Sequence, residues 1–109
     1  MEPALQETFL MERYWPGAGR ADVATAEEHL CRAAGELSRD GIPIRIVSST
    51  WVPADEVVLT LFEAGEEDDV LEVSRRGGYP FDRMQRVEVV TEASRRWRGY
   101  DEHVRYQAR

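Results

Sequence analysis

The most constraining feature of this sequence is a short stretch, VVLTLFE at residues 57–63, that is apolar on both of its alternating faces. Branched and aromatic residues favour a β-strand, in which successive side chains point to opposite faces of the sheet. Val58 and Phe62 share one face, and Val57, Leu59 and Leu61 share the other. A strand that is apolar on both faces has to be covered on both faces. We therefore expect this stretch to be a central strand and to organise the fold.

Length, charge and cysteine content exclude several classes of protein. The 109 residues suit a single domain, and the single cysteine excludes an intrachain disulfide. The net charge is −7, with 21 acidic residues against 14 basic ones, all of which are arginine. This balance disfavours a phosphate-binding face, so no nucleic acid partner is expected. No apolar run approaches the ~20 residues of a membrane span, and the sequence predicts a cytoplasmic protein without membrane association.

The remaining patterns predict two helices and three further strands around the central one. The first helix has Asp22 as its N-cap and a narrow apolar stripe that includes Leu30 and Leu37. The second helix has acidic residues in its first turn and ends at Gly77 and Gly78. The predicted strands are 8–15, 43–52, 56–63 and 84–91, and the predicted helices are 22–39 and 67–76.

This order, β-α-β-β-α-β, predicts a ferredoxin-like α+β fold, with an antiparallel four-stranded sheet and two helices on one of its faces. The other face is left bare, and the simplest way to cover it is a homodimer through the sheet face. Residues 1–7 are predicted to be a loose N-terminus, 8–92 the domain, and 93–109 a C-terminal extension. That extension is either a short helix or a tail, because Trp97, Tyr100 and Val104 have helix-like spacing among charges.

Potential metal ligands other than carboxylates are few: His29, Cys31 and His103. On the first helix His29 and Cys31 point about 200° apart, so they cannot share one ion. A metal site at His29 would need ligands from another strand, from the C-terminal extension or from a partner subunit. The alternative interpretation is that His29 is an ordinary surface histidine.

An enzyme of this fold would use the cleft between the sheet and the helices. The polar strand residues expected there are Glu12, Tyr14, Ser48, Thr60 and Glu63. Glu12 and Tyr14 are two residues apart and so share a face, and we expect that face to be directed toward the helices, where the two would form an acid-base pair. Arg13 and Trp15 would then face the dimer contact.

A second carboxylate is expected near Glu12. We expect the first and central strands to lie side by side and parallel, so that Glu12 and Glu63, which end these strands, come near one another. Two adjacent carboxylates would raise the pKa of one of them and supply an acid or a base. Solvated carboxylates at strand ends are the alternative interpretation.

Aromatic residues also cluster at the predicted strand ends and loops. Trp15, Trp51 and Tyr79 are placed where a small molecule would stack, and Asp82 precedes the last strand at the mouth of the cleft. Together with Glu63 they form the predicted ligand-binding set. Packing in a dimer explains the aromatic residues equally well.

Four sequence blocks resemble a known family. They are ERYWPG at 12–17, SSTWVPAD at 48–55, LFEA at 61–64 and GYPFDR at 78–83. In this order they are similar to a group of small bacterial proteins, long catalogued as a domain of unknown function, that includes a dimeric nickel-binding protein with a ferredoxin-like fold. The resemblance spans roughly residues 8–92. It implies a non-catalytic protein that binds nickel for sequestration or homeostasis, with no organic cofactor.

The sequence thus leaves two classes of function open. The first is a dimeric protein that binds a divalent transition metal, with nickel first and His29 as the residue to test. The second is a small-molecule enzyme of the cyclase, isomerase or cofactor-free oxygenase type, which rests on analogy of fold alone. Calorimetry with nickel separates the two classes.

Overall fold

The computed structural model of the protein describes residues 6–91. Its order of elements confirms the predicted ferredoxin-like α+β fold. The elements are β1 (Glu7–Tyr14), α1 (Arg20–Arg39), β2 (Ile44–Val52), a 3-10 turn (Pro53–Asp55), β3 (Val57–Ala64), α2 (Glu67–Gly77) and β4 (Arg83–Val87). The predicted C-terminal extension, 93–109, and all but the end of the predicted N-terminal segment, 1–7, lie outside the described residues.

The four strands form one antiparallel sheet in the order β2-β3-β1-β4. The stretch predicted to be central is β3, which has a strand on either side. Because β1 and β3 run in opposite directions, Glu12 pairs with Leu59, whereas Glu63 pairs with Thr8. Four strand positions, roughly 13 Å, therefore separate the two glutamates. The expectation of parallel neighbours that bring Glu12 and Glu63 together is wrong.

Both helices cover one face of the sheet, and the core lies between the helices and that face. Odd-numbered residues of β1 and even-numbered residues of β3 point into it, because paired residues of antiparallel strands share a face. Burial follows this alternation strictly in β3. Large apolar side chains of the core include Phe9, Met11, Leu30, Leu37, Ile44 and Phe62.

The two helices have the predicted polarity, with one correction at the start of α1. The N-cap is Gly19, and Asp22 is the third helical residue, from which its Oδ2 accepts a hydrogen bond from Gly19 N at 2.8 Å. A carboxylate at this third helical position accepts a hydrogen bond from the backbone N–H of the N-cap residue, which is why Asp22 resembled an N-cap in the sequence. Helix α2 ends at Gly77 and is capped by Gly78, whose φ of +60° is the left-handed conformation expected of a glycine that follows a helix.

Strand β2 contains a β-bulge that changes which of its side chains face the helices. Ile46 pairs with Phe62 and Ser48 pairs with Leu61, so Val47 is the extra residue. One inserted residue exchanges the two faces of everything after it. Ser49 and Trp51 therefore lie on the helix side, where an unbulged strand would have placed Ser48.

Strand β4 is shorter than predicted. It ends at Val87, which pairs with Thr8, rather than at Thr91. Strand β1 begins at Glu7, so residues beyond Val87 have almost no partner strand left to extend the ladder. Val89 and Val90 are accordingly exposed, although Val87 and Val89 alternate with Arg86 and Glu88 in the sequence.

Candidate functional site

The aromatic side chains predicted to bind a ligand are brought together at one end of the domain. Here β1 and β2 end, β3 and β4 begin, and α1 starts. Trp51, Val58 and Arg13 form one row across three strands on the helix side of the sheet. We call this region the aromatic end and define it by Arg13, Trp15, Glu27, Trp51 and Tyr79.

A half-buried carboxylate, Glu27 of α1, lies at the centre of a hydrogen-bond network in this region. Tyr79 Oη donates to Glu27 Oε2 at 2.6 Å, and Ser49 Oγ donates to Glu27 Oε1 at 2.5 Å. Thr60 Oγ1 is 3.5 Å from Oε2 and 3.2 Å from Ser49 Oγ. Three hydroxyl groups from two strands and a loop thus surround one carboxylate and stabilise its charge, and among residues 6–91 it forms no ion pair.

The position of Glu27 has a signal in the sequence, although Glu27 is not among the predicted site residues. Glu27 follows Val23 by four residues and precedes Leu30 by three, and both of these are buried. Such spacing puts Glu27 on the inner stripe of α1. An acidic residue in an otherwise apolar stripe requires donors from the facing sheet, and Thr60, which was predicted to lie in the cleft, is one of them.

Tyr79 is almost fully buried, with 2% of its surface exposed. Burial raises the pKa of its hydroxyl, and the hydrogen bond to the Glu27 carboxylate raises it further. The residue is fixed from behind, because Ser74 Oγ donates to the Tyr79 carbonyl at 2.6 Å and Tyr79 N donates to the Ser74 carbonyl at 2.9 Å. Tyr79 is therefore a rigid neutral donor near pH 7.

Arg13 lies beside this network and stacks on two aromatic rings. Its Cζ is 3.6 Å from the centroid of the Trp15 ring and 4.7 Å from that of Tyr79. These distances fall within the range of cation-π interactions. A half-buried guanidinium is thereby tolerated on the helix side of β1.

The loop that carries Trp15 is tied to two neighbouring connections. Glu56 accepts hydrogen bonds through its carboxylate from Gly17 N at 3.2 Å and from Tyr14 Oη at 3.4 Å, and its carbonyl accepts one from Trp15 N at 2.7 Å. Asp82 accepts a hydrogen bond from Tyr14 N at 2.6 Å. Glu56 has a left-handed φ of +56°, a conformation uncommon for any residue other than glycine. Its three contacts to the loop stabilise this strained backbone.

The predicted acid-base pair, Glu12 and Tyr14, lies on the face of β1 that points away from the helices. The opposite face is the more apolar one because it carries Phe9 and Met11, and it is therefore the face that packs against the helices. Arg13 and Trp15 lie on this same face. The expectations that Glu12 and Tyr14 face the cleft, and that Arg13 and Trp15 face away from it, are therefore wrong. Tyr14 is 58% exposed. Ser48 is likewise outside the cleft, because the bulge substitutes Ser49 for it.

Of the predicted ligand-binding residues, Trp15, Trp51, Tyr79 and Asp82 lie at or next to the aromatic end, whereas Glu63 does not. Glu63 belongs to the opposite end of β3, where its Oε1 accepts a hydrogen bond from Arg45 Nε at 2.8 Å. It also lines an open cavity of about 640 Å³ with Glu7, Arg86 and Glu88. A second, smaller cavity of about 230 Å³ lies between α1 and β2. Neither cavity is lined by Glu12 or Tyr14.

The predicted metal ligand His29 is exposed on α1. Within residues 6–91 no three histidine, cysteine or carboxylate side chains converge in a way that would hold an ion. Cys31 is near the smaller cavity, and burial together with the charge of Glu27 raises the pKa of its thiol. A cysteine with a raised pKa is a poorer ligand and a poorer nucleophile near neutral pH.

The face of the sheet opposite the helices, which we call the open face, has an apolar centre and charged margins. Its apolar side chains are half-buried in the single chain: Leu10, Val52, Val57, Leu59, Leu61 and Val87. At one margin Glu12 Oε2 lies 3.8 Å from Arg83 Nε and accepts a hydrogen bond from Gln85 at 3.2 Å. The Arg45–Glu63 pair lies at another margin. No helix within the described part of the chain covers this face.

The fold and its two faces define a ferredoxin-like α+β protein. A search of solved structures finds a similar chain in the crystal structure of SCO4226 from Streptomyces coelicolor A3(2), with a TM-score of 0.62 and 18% sequence identity. The superposition covers 77% of this chain and 99% of that one. No protein-family model matches the sequence, and a search of curated proteins gives no significant match. At this identity the similarity establishes the fold.

Neither α1 nor α2, the helices of residues 6–91, combines the length and hydrophobicity needed to cross a bilayer.

Proposed function

We propose that the protein is a small homodimeric binding protein in which the open face forms the contact between two copies. The observation that supports this proposal is the apolar centre of the open face, in which Leu10, Leu59 and Leu61 stand side by side on β1 and β3. Apolar side chains without a covering layer mark an interaction surface. A second copy is the favoured partner because one self-complementary patch is sufficient for a two-fold dimer.

The margins of the open face fit the same proposal. Interfaces between proteins have an apolar centre surrounded by polar residues that remain partly solvated. The Glu12–Arg83 and Arg45–Glu63 pairs supply such a rim. Sedimentation equilibrium at micromolar concentration tests the proposal, and a mass of one chain under those conditions would contradict it.

The ligand of this binding protein is proposed from the resemblance seen in the sequence. That resemblance favours a divalent transition metal, with nickel first. His29 is exposed on α1, so an ion held there takes its other ligands from a second subunit or from outside residues 6–91. Imidazole is a ligand that nickel accepts readily.

Calorimetry with nickel chloride tests the metal proposal, with His29→Ala as the variant and His103→Ala, the only other histidine of the sequence, as the matched control. Binding that is lost in His29→Ala and kept in His103→Ala supports the proposed ligand. Loss in His103→Ala alone moves the site away from α1. Absence of binding to the unaltered protein at neutral pH overturns the metal proposal and leaves the dimer proposal to its own test. No catalytic activity is proposed, because the predicted acid-base pair does not face the cleft.

A further inference from the structure

We infer that Arg13 anchors a binding site for a small organic monocarboxylate at the aromatic end. This inference is independent of the proposed dimer and of the metal. It rests on the state of the Arg13 guanidinium, on the residues that hold it and on the charge around it.

Arg13 is a half-buried cation without a carboxylate partner in the described part of the chain. Six of the other arginines of residues 6–91 have a carboxylate oxygen within 4.0 Å: Arg32, Arg45, Arg75, Arg76, Arg83 and Arg86. Arg20 and Arg39 have none, but both are exposed and are solvated by water. A partly buried charge loses water that a partner has to replace, so Arg13 is the arginine for which an external anion would be most favourable.

The geometry of the guanidinium leaves its hydrogen-bond donors available. The rings of Trp15 and Tyr79 contact Arg13 through their π faces, and within residues 6–91 its side chain donates no hydrogen bond. The N–H groups at the edge of a guanidinium form a planar fork that matches the two oxygens of a carboxylate. Stacking on the two rings therefore fixes the orientation of the guanidinium without using its N–H donors.

The surroundings of Arg13 are held in place before any ligand arrives. Trp15 is on a loop that Glu56 and Asp82 tie down through hydrogen bonds to the backbone. Tyr79 is buried and is bonded to Glu27. A preorganised site loses little conformational entropy on binding, which is a condition for affinity toward a small ligand.

The charge around the site selects the class of anion. The chain has a net charge of −7, and the Glu27 carboxylate is hydrogen-bonded to Tyr79, one of the two residues on which Arg13 stacks. This field disfavours phosphates and other anions that carry more than one charge. Half-buried Trp15 and Trp51 supply aromatic surface for an apolar body. A monocarboxylate with an aromatic or apolar body satisfies both conditions.

Benzoate is the probe that tests the inference, and benzamide is its uncharged counterpart of the same shape. Titration of each into the full chain is followed through the Nε–H signals of arginine and the indole N–H signals of tryptophan in nitrogen-15 NMR spectra. Arg13→Gln removes the fork, and Arg13→Lys keeps the charge without the fork. Arg39→Gln is the matched control, because Arg39 likewise has no carboxylate partner within residues 6–91 but is exposed at the far end of α1.

We expect benzoate to shift the Arg13 and Trp15 signals at millimolar concentration or below, with no comparable effect of benzamide. Because a charge-assisted hydrogen bond is lost, Arg13→Gln weakens benzoate binding by about tenfold or more, Arg13→Lys by less, and Arg39→Gln not at all. Equal shifts by benzamide, or equal weakening by Arg39→Gln, overturn the inference. If Arg13→Gln does not fold, the shifts in the unaltered protein decide, and an Arg13 signal indifferent to benzoate refutes the site.

Discussion

Val58 and Leu59 are adjacent residues of similar size that face opposite sides of β3, and they give the sharpest test of the proposed dimer. Val58 is 1% exposed in the core, whereas Leu59 is half-buried at the centre of the open face. Val58→Asp replaces a buried apolar side chain, worth about 2 kcal/mol of burial, with a carboxylate whose unpaired burial costs several more. That sum is comparable to the whole stability of a small domain, so we expect this variant to unfold.

Leu59→Asp is expected to have a different effect. In a single chain the carboxylate at this position reaches water, so the free energy of unfolding of the monomer changes by only about 1 kcal/mol. In an isologous dimer each substitution occurs twice, once from each copy. If each buried unpaired carboxylate costs about 3 kcal/mol, the dimer loses about 6 kcal/mol, which is roughly four powers of ten in Kd.

Sedimentation velocity at micromolar concentration and thermal melting followed by circular dichroism measure the two effects. The expected result is a folded monomer for Leu59→Asp and an unfolded chain for Val58→Asp. A folded dimer for Leu59→Asp would refute the assignment of the contact to the open face. A folded Val58→Asp would refute the assignment of the faces of β3.

Three further predictions concern single contacts. Tyr79→Phe should lower the free energy of unfolding by about 1–3 kcal/mol, because the half-buried Glu27 carboxylate loses a hydrogen-bond donor, and urea unfolding that shows no loss would contradict the network. Glu56→Gln should speed amide hydrogen exchange of Gly17 and the loop around it, because the amide of the side chain is a weaker acceptor than the carboxylate; unchanged exchange would argue against the tether. Hydrogen bonds from Arg75 and Arg76 lower the pKa of Glu72 to about 2, so the stabilisation from this pairing is present above the ordinary pKa of a glutamate and is lost as pH falls toward 2; a carboxyl carbon signal that titrates near pH 4 would contradict it.

The fold could be predicted from the sequence because periodicity and turn residues agree with one another along the whole chain. The two-faced apolar pattern of 57–63 identified the central strand, and the charges at the ends of 67–76 identified the second helix. Each of these signals is local. The antiparallel relation of β1 to β3 is a property of the topology, and the pairing of Glu12 with Glu63 failed because it was derived from a parallel one.

The site was less predictable, because it depends on which face of a short strand is buried. One face of β1 carries Phe9, Met11 and Arg13, and the other carries Leu10, Glu12 and Tyr14. Because the first face includes an arginine and the second includes two polar residues, the two faces differ little in hydrophobicity. The rings that cover Arg13 come from residues 15 and 79, so the reason that it is tolerated on the helix side is distant in sequence. The aromatic residues of the site were recognised, but Glu27, which the hydroxyls surround, was not.

The bulge at Val47 gives β2 one residue of spare length. Ile46 pairs with Phe62 and Ser48 with Leu61, so a chain without Val47 would continue the ladder as a regular strand, and Ser49 and Trp51 would keep their partners and their faces. A one-residue deletion at the bulge is therefore expected to leave the aromatic end in place. Among relatives of this protein, those that lack one residue between Ile46 and Ser48 are expected to share the aromatic end, and their β2 residues are matched to this chain by counting back from the connection between β2 and β3, not forward from the start of the strand.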